Sequence, residues 1–156
     1  MISIFDFGSE ITLPSGSREI EGTGVQIFSI RNFKDRRGWI GIVDFKDFSP
    51  FTPQRVFYTF DVPSEQDRGN HAHKSCHQFL VALSGECSVE FDTGRRTYQV
   101  RLDSSIYGIY LPPMVWSRQF DFSRATSLLV LASEGYDEAD YIGDHAEFLK
   151  IIAKSS

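Results

Sequence analysis

The stretch that decides the fold runs from Arg68 to Gly94, 68-RGNHAHKSCHQFLVALSGECSVEFDTG-94. Residues 78–83 form a short apolar run. Residues 87–91 alternate, with Val89 and Phe91 on one face. Ser84-Gly85 separates the two, and Asp92-Thr93-Gly94 closes the second. Two short β-type runs joined and closed by Gly turns spell a β-hairpin. The same pattern extends outward in both directions. Residues 25–28, 39–45 and 55–60 read as strands before the hairpin, and 97–102, 106–111 and 127–132 after it, with Pro112-Pro113 as a further break. Many short strands at ~8–12-residue spacing predict an all-β sandwich or barrel. Only the end departs from this. Residues 144–154 place Phe148, Ile151 and Ile152 at helical spacing and predict a short C-terminal helix. Residues 1–22 are polar and punctuated by Gly and Ser, the pattern of a flexible arm, which leaves 23–156 as one domain.

The 156 residues suit one domain with a core of its own. Hydrophobic residues are 41% and charged residues 24%, the composition of a globular chain. A net charge of -5 argues against nucleic acid or an anionic membrane as partner. An anionic ligand would therefore need a locally basic site. No apolar run approaches the ~18 residues of a membrane-spanning helix. Met1 to Ile4 is followed at once by Asp6 and Glu10, unlike a signal peptide. The expectation is a cytoplasmic protein. Cys76 and Cys87 match no zinc or C-x-x-C spacing and sit in apolar runs, so they read as buried free thiols.

Three of the four histidines, His71, His73 and His77, fall within seven residues. Alternate residues of a strand share a face. If 71–77 is extended, all three imidazoles point the same way. An H-x-H pair that leads into an apolar strand and a Gly turn has the shape of the first cupin motif, two metal-ligating histidines followed by a glutamate. A later strand in that motif supplies another histidine. Here the glutamate position holds His77 or Gln78, and the late histidine position holds Trp116 or Ser117. Ser and Gln are poor ligands for the usual cupin metals, and Trp is none. The expectation is therefore no metal and no cofactor, with acid–base work by the two imidazoles, whose ordinary pKa of about 6.5 suits proton transfer at neutral pH. His73, deeper along the strand, is the expected base, and His71 assists it. Gln78 and Trp116 are then candidates for substrate contact.

Arg55-Val56-Phe57-Tyr58 precedes the pair on another strand, with Arg55 and Phe57 on one face and Val56 and Tyr58 on the other. Tyr58 is the expected phenol donor to a carbonyl or enolate oxygen. Arg68 leads into the histidine strand and is the first candidate for a phosphate, with Lys74 and Arg55 behind it. The sequence holds no P-loop and no dinucleotide fingerprint.

Arg55-Val56-Phe57-Tyr58, Arg68-Gly69-Asn70-His71-Ala72-His73-Lys74, Leu111-Pro112-Pro113-Met114-Val115-Trp116, Leu128-Leu129-Val130-Leu131-Ala132-Ser133 and Tyr136-Asp137-Glu138-Ala139-Asp140-Tyr141-Ile142 together resemble the dTDP-4-keto-6-deoxy-glucose 3,4-ketoisomerases. These are the cupin enzymes of amino-deoxysugar biosynthesis, which feeds glycan and lipopolysaccharide assembly. The resemblance covers roughly residues 25–148. It implies a metal-free jelly roll, His71 and His73 as acid–base residues, Tyr58 and Arg68 around a dTDP-linked 4-keto-6-deoxy sugar, and a homodimer formed by exchange of N-terminal strands. Ser117 departs from the His or Arg often found after the Trp, and Phe57 stands where many relatives have Tyr. Two other readings remain open. One is a metal-dependent cupin enzyme using His71, His73 and His77. The other is a non-catalytic sugar-nucleotide-binding cupin.

Overall fold

The computed structural model describes residues 2–5, 16–20, 22–46 and 51–155. Among the described residues fourteen strands run in chain order: β1 (Ile2–Phe5), β2 (Ser17–Glu19), β3 (Gln26–Ser29), β4 (Arg31–Asp35), β5 (Gly38–Ile42), β6 (Arg55–Phe60), β7 (Arg68–His73), β8 (Gln78–Ser84), β9 (Cys87–Asp92), β10 (Thr97–Leu102), β11 (Tyr107–Leu111), β12 (Trp116–Phe120), β13 (Ser127–Ala132) and β14 (Tyr141–Ile142). A 3-10 turn, Glu138–Asp140, precedes β14, and helix α1 (His145–Ser155) ends the described chain.

Twelve of these strands build two six-stranded sheets, β1-β10-β9-β12-β7-β14 and β2-β3-β11-β8-β13-β6. Every neighbouring pair is antiparallel except β1 with β10. The all-β expectation holds as a jelly roll of two facing sheets rather than a continuously closed barrel. Two parts of the expected arm, residues 2–5 and 17–19, are strands, and residues 1, 6–15 and 21 lie outside the described residues.

Strand alternation builds the core. Tyr98, Val100 and Leu102 of β10 point inward, as do Val89 and Phe91 of β9, and they meet Leu80, Ile109, Leu128 and Val130 of the other sheet. Residues 78–82 of β8 are buried on both faces. That explains the unbroken apolar run in the sequence. Its outward residues Phe79 and Val81 pack with Ile30, Tyr110 and Leu131 under Val43 and Phe51. On the outer face of the other sheet, Phe148 of α1 is fully buried against Ala72 and Ile142. An eleven-residue helix is marginal alone. Burying Phe148, worth about 2–3 kcal/mol, helps hold it in place. Both cysteines are free and buried, and burial pushes the Cys87 thiol up to about 12.

The hairpin β4–β5 pairs with neither large sheet. It leaves Phe33, Trp39 and Ile40 exposed.

Candidate active site

The site is built on β7, and a bulge aims it. His71 lies opposite Ser117 of β12, while Gly69 lies opposite Arg118 and Arg68 opposite Gln119. One residue of β7, Asn70, is therefore extra. Gly69 and Asn70 both have positive φ, +82° and 57°. A Cβ on Gly69 would come within 2.8 Å of the Ser117 carbonyl oxygen. Bulges of this kind re-aim side chains next to active sites. Cross-strand partners share a face. Ser117 and Gln119 are buried inside the roll, so His71 and Arg68 stand on that same inner face although they are three residues apart. Arg68 occupies its exposed end.

Beyond the bulge His73 points the same way as His71. The two Nε2 atoms are 3.2 Å apart. His71 Nδ1 is 2.9 Å from the Gly69 carbonyl oxygen, which can only accept, so Nδ1 carries the hydrogen. His73 Nδ1 donates in the same way to Asp140 Oδ2 at 2.7 Å. With both tautomers assigned from their partners, the neutral pair would set two Nε2 lone pairs against each other. A proton taken from a substrate would lie between them and satisfy both. The charge of that proton is balanced by Asp140. The pair can thus accept one proton or release one. Gln78 Nε2 also reaches His73 Nε2, at 3.1 Å.

Asp140 was not singled out as a site residue from the sequence. It lies 67 residues from His73. Its other oxygen, Oδ1, accepts from the Ser75 amide at 2.7 Å and the Ser75 hydroxyl at 2.9 Å. The 3-10 turn that carries it is fixed by the Lys74 amide on the Asp140 carbonyl and by Asp137 capping Ala139. Next in line, Tyr141 faces His73 across β14. Its ring centroid is 4.5 Å from His73 and 4.8 Å from His71. The motif Y-D-E-A-D-Y-I was visible, but only folding brings its Asp and Tyr to the histidines.

Burial sets the proton affinities. Desolvation lowers the pKa of His71 below 6.5, against the Gly69 bond that raises it. Desolvation lowers His73 as well, against the opposing pull of Asp140. Burial pushes the Asp140 carboxyl up, but the Ser75 amide, His73 and the Ser75 hydroxyl outweigh it and hold Asp140 below 3.8. Near neutral pH the lowered affinities leave the Nε2 lone pairs free to take a proton.

Several expectations are corrected. His77 does not join the pair. The strand breaks between His73 and Gln78, and His77 turns to the outer cluster, where Nδ1 is 2.7 Å from the Tyr110 hydroxyl and the ring lies against Phe51. The ligand set His71, His73 and His77 is therefore not assembled. The trio that does converge is His73, Cys76 and Asp140. Both oxygens of Asp140 are already engaged there, by His73 and Ser75. Tyr58 is 64% exposed on the outer face of β6, its ring beside Phe60, because Arg55 and Phe57 take the inward positions. Trp116 also has the outward parity: it faces α1, with its ring 4.9 Å from His145 and 5.9 Å from Phe148, while Ser117 faces His71. Lys74 Nζ donates to the Ala139 carbonyl at 2.6 Å, holding the Asp140 turn. Gln78 and Arg68 reach the histidine face, and Arg55 points inward from β6.

Comparison with known proteins follows the same lines. The family described as "FdtA: WxcM-like, C-terminal" matches residues 23–153. The chain is 40% identical over 129 residues to a TDP-4-oxo-6-deoxy-alpha-D-glucose-3,4-oxoisomerase of Aneurinibacillus thermoaerophilus, covering 83% of this chain and 93% of that one. Among solved structures, the sugar 3,4-ketoisomerase QdtA of Thermoanaerobacterium thermosaccharolyticum in complex with TDP superposes with a TM-score of 0.81 at 33% identity, covering 84% of this chain and 96% of the other. The TDP-quinovose 3,4-ketoisomerase WlaRB of Campylobacter jejuni gives 0.78 at 35% identity, covering 81% and 98%.

Proposed function

The chain belongs to the FdtA family (WxcM-like, C-terminal), and from that premise we propose that it is an isomerase, a sugar 3,4-ketoisomerase acting on TDP-4-keto-6-deoxyglucose. The observation that carries this reading is the inward chain His71–His73–Asp140, in which two Nε2 atoms face each other 3.2 Å apart with a carboxylate behind His73.

The chemistry balances within the substrate. The C3–H bond breaks and its proton goes to an imidazole. The bonding pair becomes the C3=C4 double bond, and the carbonyl pair moves onto the C4 oxygen. A proton passes from the C3 hydroxyl to that oxygen. C4 then takes a proton from the imidazolium, and the carbonyl is left at C3. Nothing is oxidised or reduced overall. The step asks for a group that gives back what it took, and an imidazole pair able to hold one proton between its Nε2 atoms meets that need. His73, with Asp140 behind it, is the base; His71 is the more open of the two and relays. Arg68, at the exposed end of the same face, meets the pyrophosphate.

The protein acts as a homodimer by exchange of N-terminal strands. In support, β4–β5 is unpaired with the main sheets, and edge strand β6 leaves Val56, Tyr58 and Phe60 exposed. Apolar edges of this kind attract another chain. It acts in the cytoplasm; among the described residues no helix is long and apolar enough to cross a membrane.

The test is turnover followed by NMR. Incubation with TDP-4-keto-6-deoxyglucose should remove the sugar's C3 proton signal and produce a 3-keto sugar nucleotide. A bound sugar that keeps its C3 proton would reduce the protein to a binding module.

A further inference from the structure

Among the described residues, two buried side-chain atoms have no hydrogen-bond partner, and both lie on the inward face of β6: Arg55 Nε and Thr59 Oγ1. Buried polar atoms are nearly always satisfied, so each exception calls for a reason. Arg55 is the more telling because it is charged. Other arginines with buried surroundings are paired: Arg101 with Glu86 and Asp121, Arg118 with Glu90 and Asp67. Arg55 has no carboxylate partner among the described residues. Instead its guanidinium lies over two rings, 5.2 Å from the centroid of Phe57 and 5.8 Å from that of Tyr136. Ring faces fix a guanidinium without consuming its N–H donors.

This cation also lies within electrostatic reach of the imidazole pair. Its charge lowers the proton affinity of both His71 and His73. A fixed cation with free donors, next to a base that removes a proton α to a carbonyl, stands where negative charge develops. Building on the isomerase reading, we propose that Arg55 is a catalytic residue that donates to the sugar's C4 carbonyl oxygen and stabilises it as it becomes the enediolate oxyanion. The expected phenol of Tyr58 points away, so this donor role is open, and Arg55 fills it from the opposite parity of the same strand. The pyrophosphate is left to Arg68, which sits at the exposed end of the inner face. Arginine suits the position better than lysine: its planar fork can bond the oxygen while its face stays stacked on Phe57 and Tyr136.

The proposal separates from its rivals by measuring three quantities on Arg55→Gln and Arg55→Lys: kcat for the 4-keto sugar nucleotide, Kd for TDP, and melting temperature. TDP carries the pyrophosphate but no hexose. The expected result is a fall in kcat of roughly 10²–10³-fold for Arg55→Gln, a smaller fall for Arg55→Lys, and a TDP Kd close to the native value. A tenfold weaker TDP complex with kcat kept at saturation would assign Arg55 to the pyrophosphate and overturn the proposal. A lowered melting temperature with kcat kept would make it a packing residue and do the same. If Arg55→Gln does not fold, Arg55→Lys decides alone, and native kcat there refutes the role. Wild-type protein is assayed alongside. A wild type without turnover would overturn the isomerase reading itself, a result distinct from an active wild type with an indifferent variant.

Discussion

The first sheet carries a histidine–carboxylate pair on each of its two faces. Inside, His73 meets Asp140 at 2.7 Å, with side chains 6% and 8% exposed. Outside, His145 meets Asp92 at 2.9 Å, with side chains 45% and 15% exposed. The distances are nearly the same, and the surroundings decide what each pair can do. His145 is half in water and its ring rests edge-on against Trp116. Solvent screens the pair, and it holds the start of α1 over Asp92. His73 is desolvated, and its second nitrogen faces another imidazole across 3.2 Å. A carboxylate beside a histidine is therefore not in itself a catalytic sign. What matters is where the other nitrogen points and how dry the pair is.

The comparison breaks first at His73. His73→Asn should cut turnover by roughly 10²–10⁴-fold, because the amide cannot shuttle a proton near pH 7. TDP binding and the circular dichroism spectrum should stay native.

Asp140→Asn comes next. Oδ1 must go on accepting from the Ser75 amide, so the new NH₂ turns toward His73 Nδ1. It donates there and forces the hydrogen of His73 onto Nε2, which abolishes the base. A fall in kcat of about 10²-fold or more is expected. A purely structural Asp140 would lower the melting temperature and leave residual activity with an unchanged pH profile. Here the profile also moves. Asp140 raises the His73 pKa, so its neutralisation shifts the acid limb of the remaining activity to lower pH.

The native pH dependence sharpens the same point. Burial lowers both imidazoles, so the acid limb of kcat/KM should have its midpoint below 6.5. Histidines with depressed pKa values bind fewer protons folded than unfolded, so their contribution to stability is present above 6.5 and is lost as pH falls from there through the lower folded values. Asp140 adds a second loss further down, below 3.8. Potentiometric or thermal unfolding from pH 8 to pH 3 reads both.

Gly69→Ala tests the bulge that aims the inner face. It places a Cβ 2.8 Å from a backbone oxygen at a φ of +82°. A loss of about 1–2 kcal/mol in chemical denaturation is expected, with a raised KM as Arg68 and His71 shift. The smallest effect belongs to the outer pair. His145→Gln should change stability by less than ~1 kcal/mol and leave kcat unaltered.

The sequence made the architecture and the centre of the site legible, and particular residues show where that legibility ended. His71 and His73 are two apart on one strand, so their common face follows from alternation alone. Gln78, expected as a substrate contact, lies 3.1 Å from His73 Nε2. Alternation groups residues into faces but does not say which face is inside, which is why Tyr58, expected toward the site, lies outside while Arg55 of the other parity points in. Trp116 and Ser117 were confused by one residue of parity. His77 required strand β7 to continue through Lys74, Ser75 and Cys76, where it breaks. Arg68 sits on the right face only because Asn70 is an extra residue, a bulge that no local pattern announces. Asp140 was out of reach for a different reason: its partner is 67 residues away, and a long-range hydrogen bond leaves no local trace.

The most direct measurement of the account compares the two histidines in one experiment, the loss of the substrate's C3 proton in D₂O followed by NMR. The account predicts that His145→Asn removes the proton at the native rate while His73→Asn leaves it in place with TDP still bound. Equal rates in the two variants would contradict it.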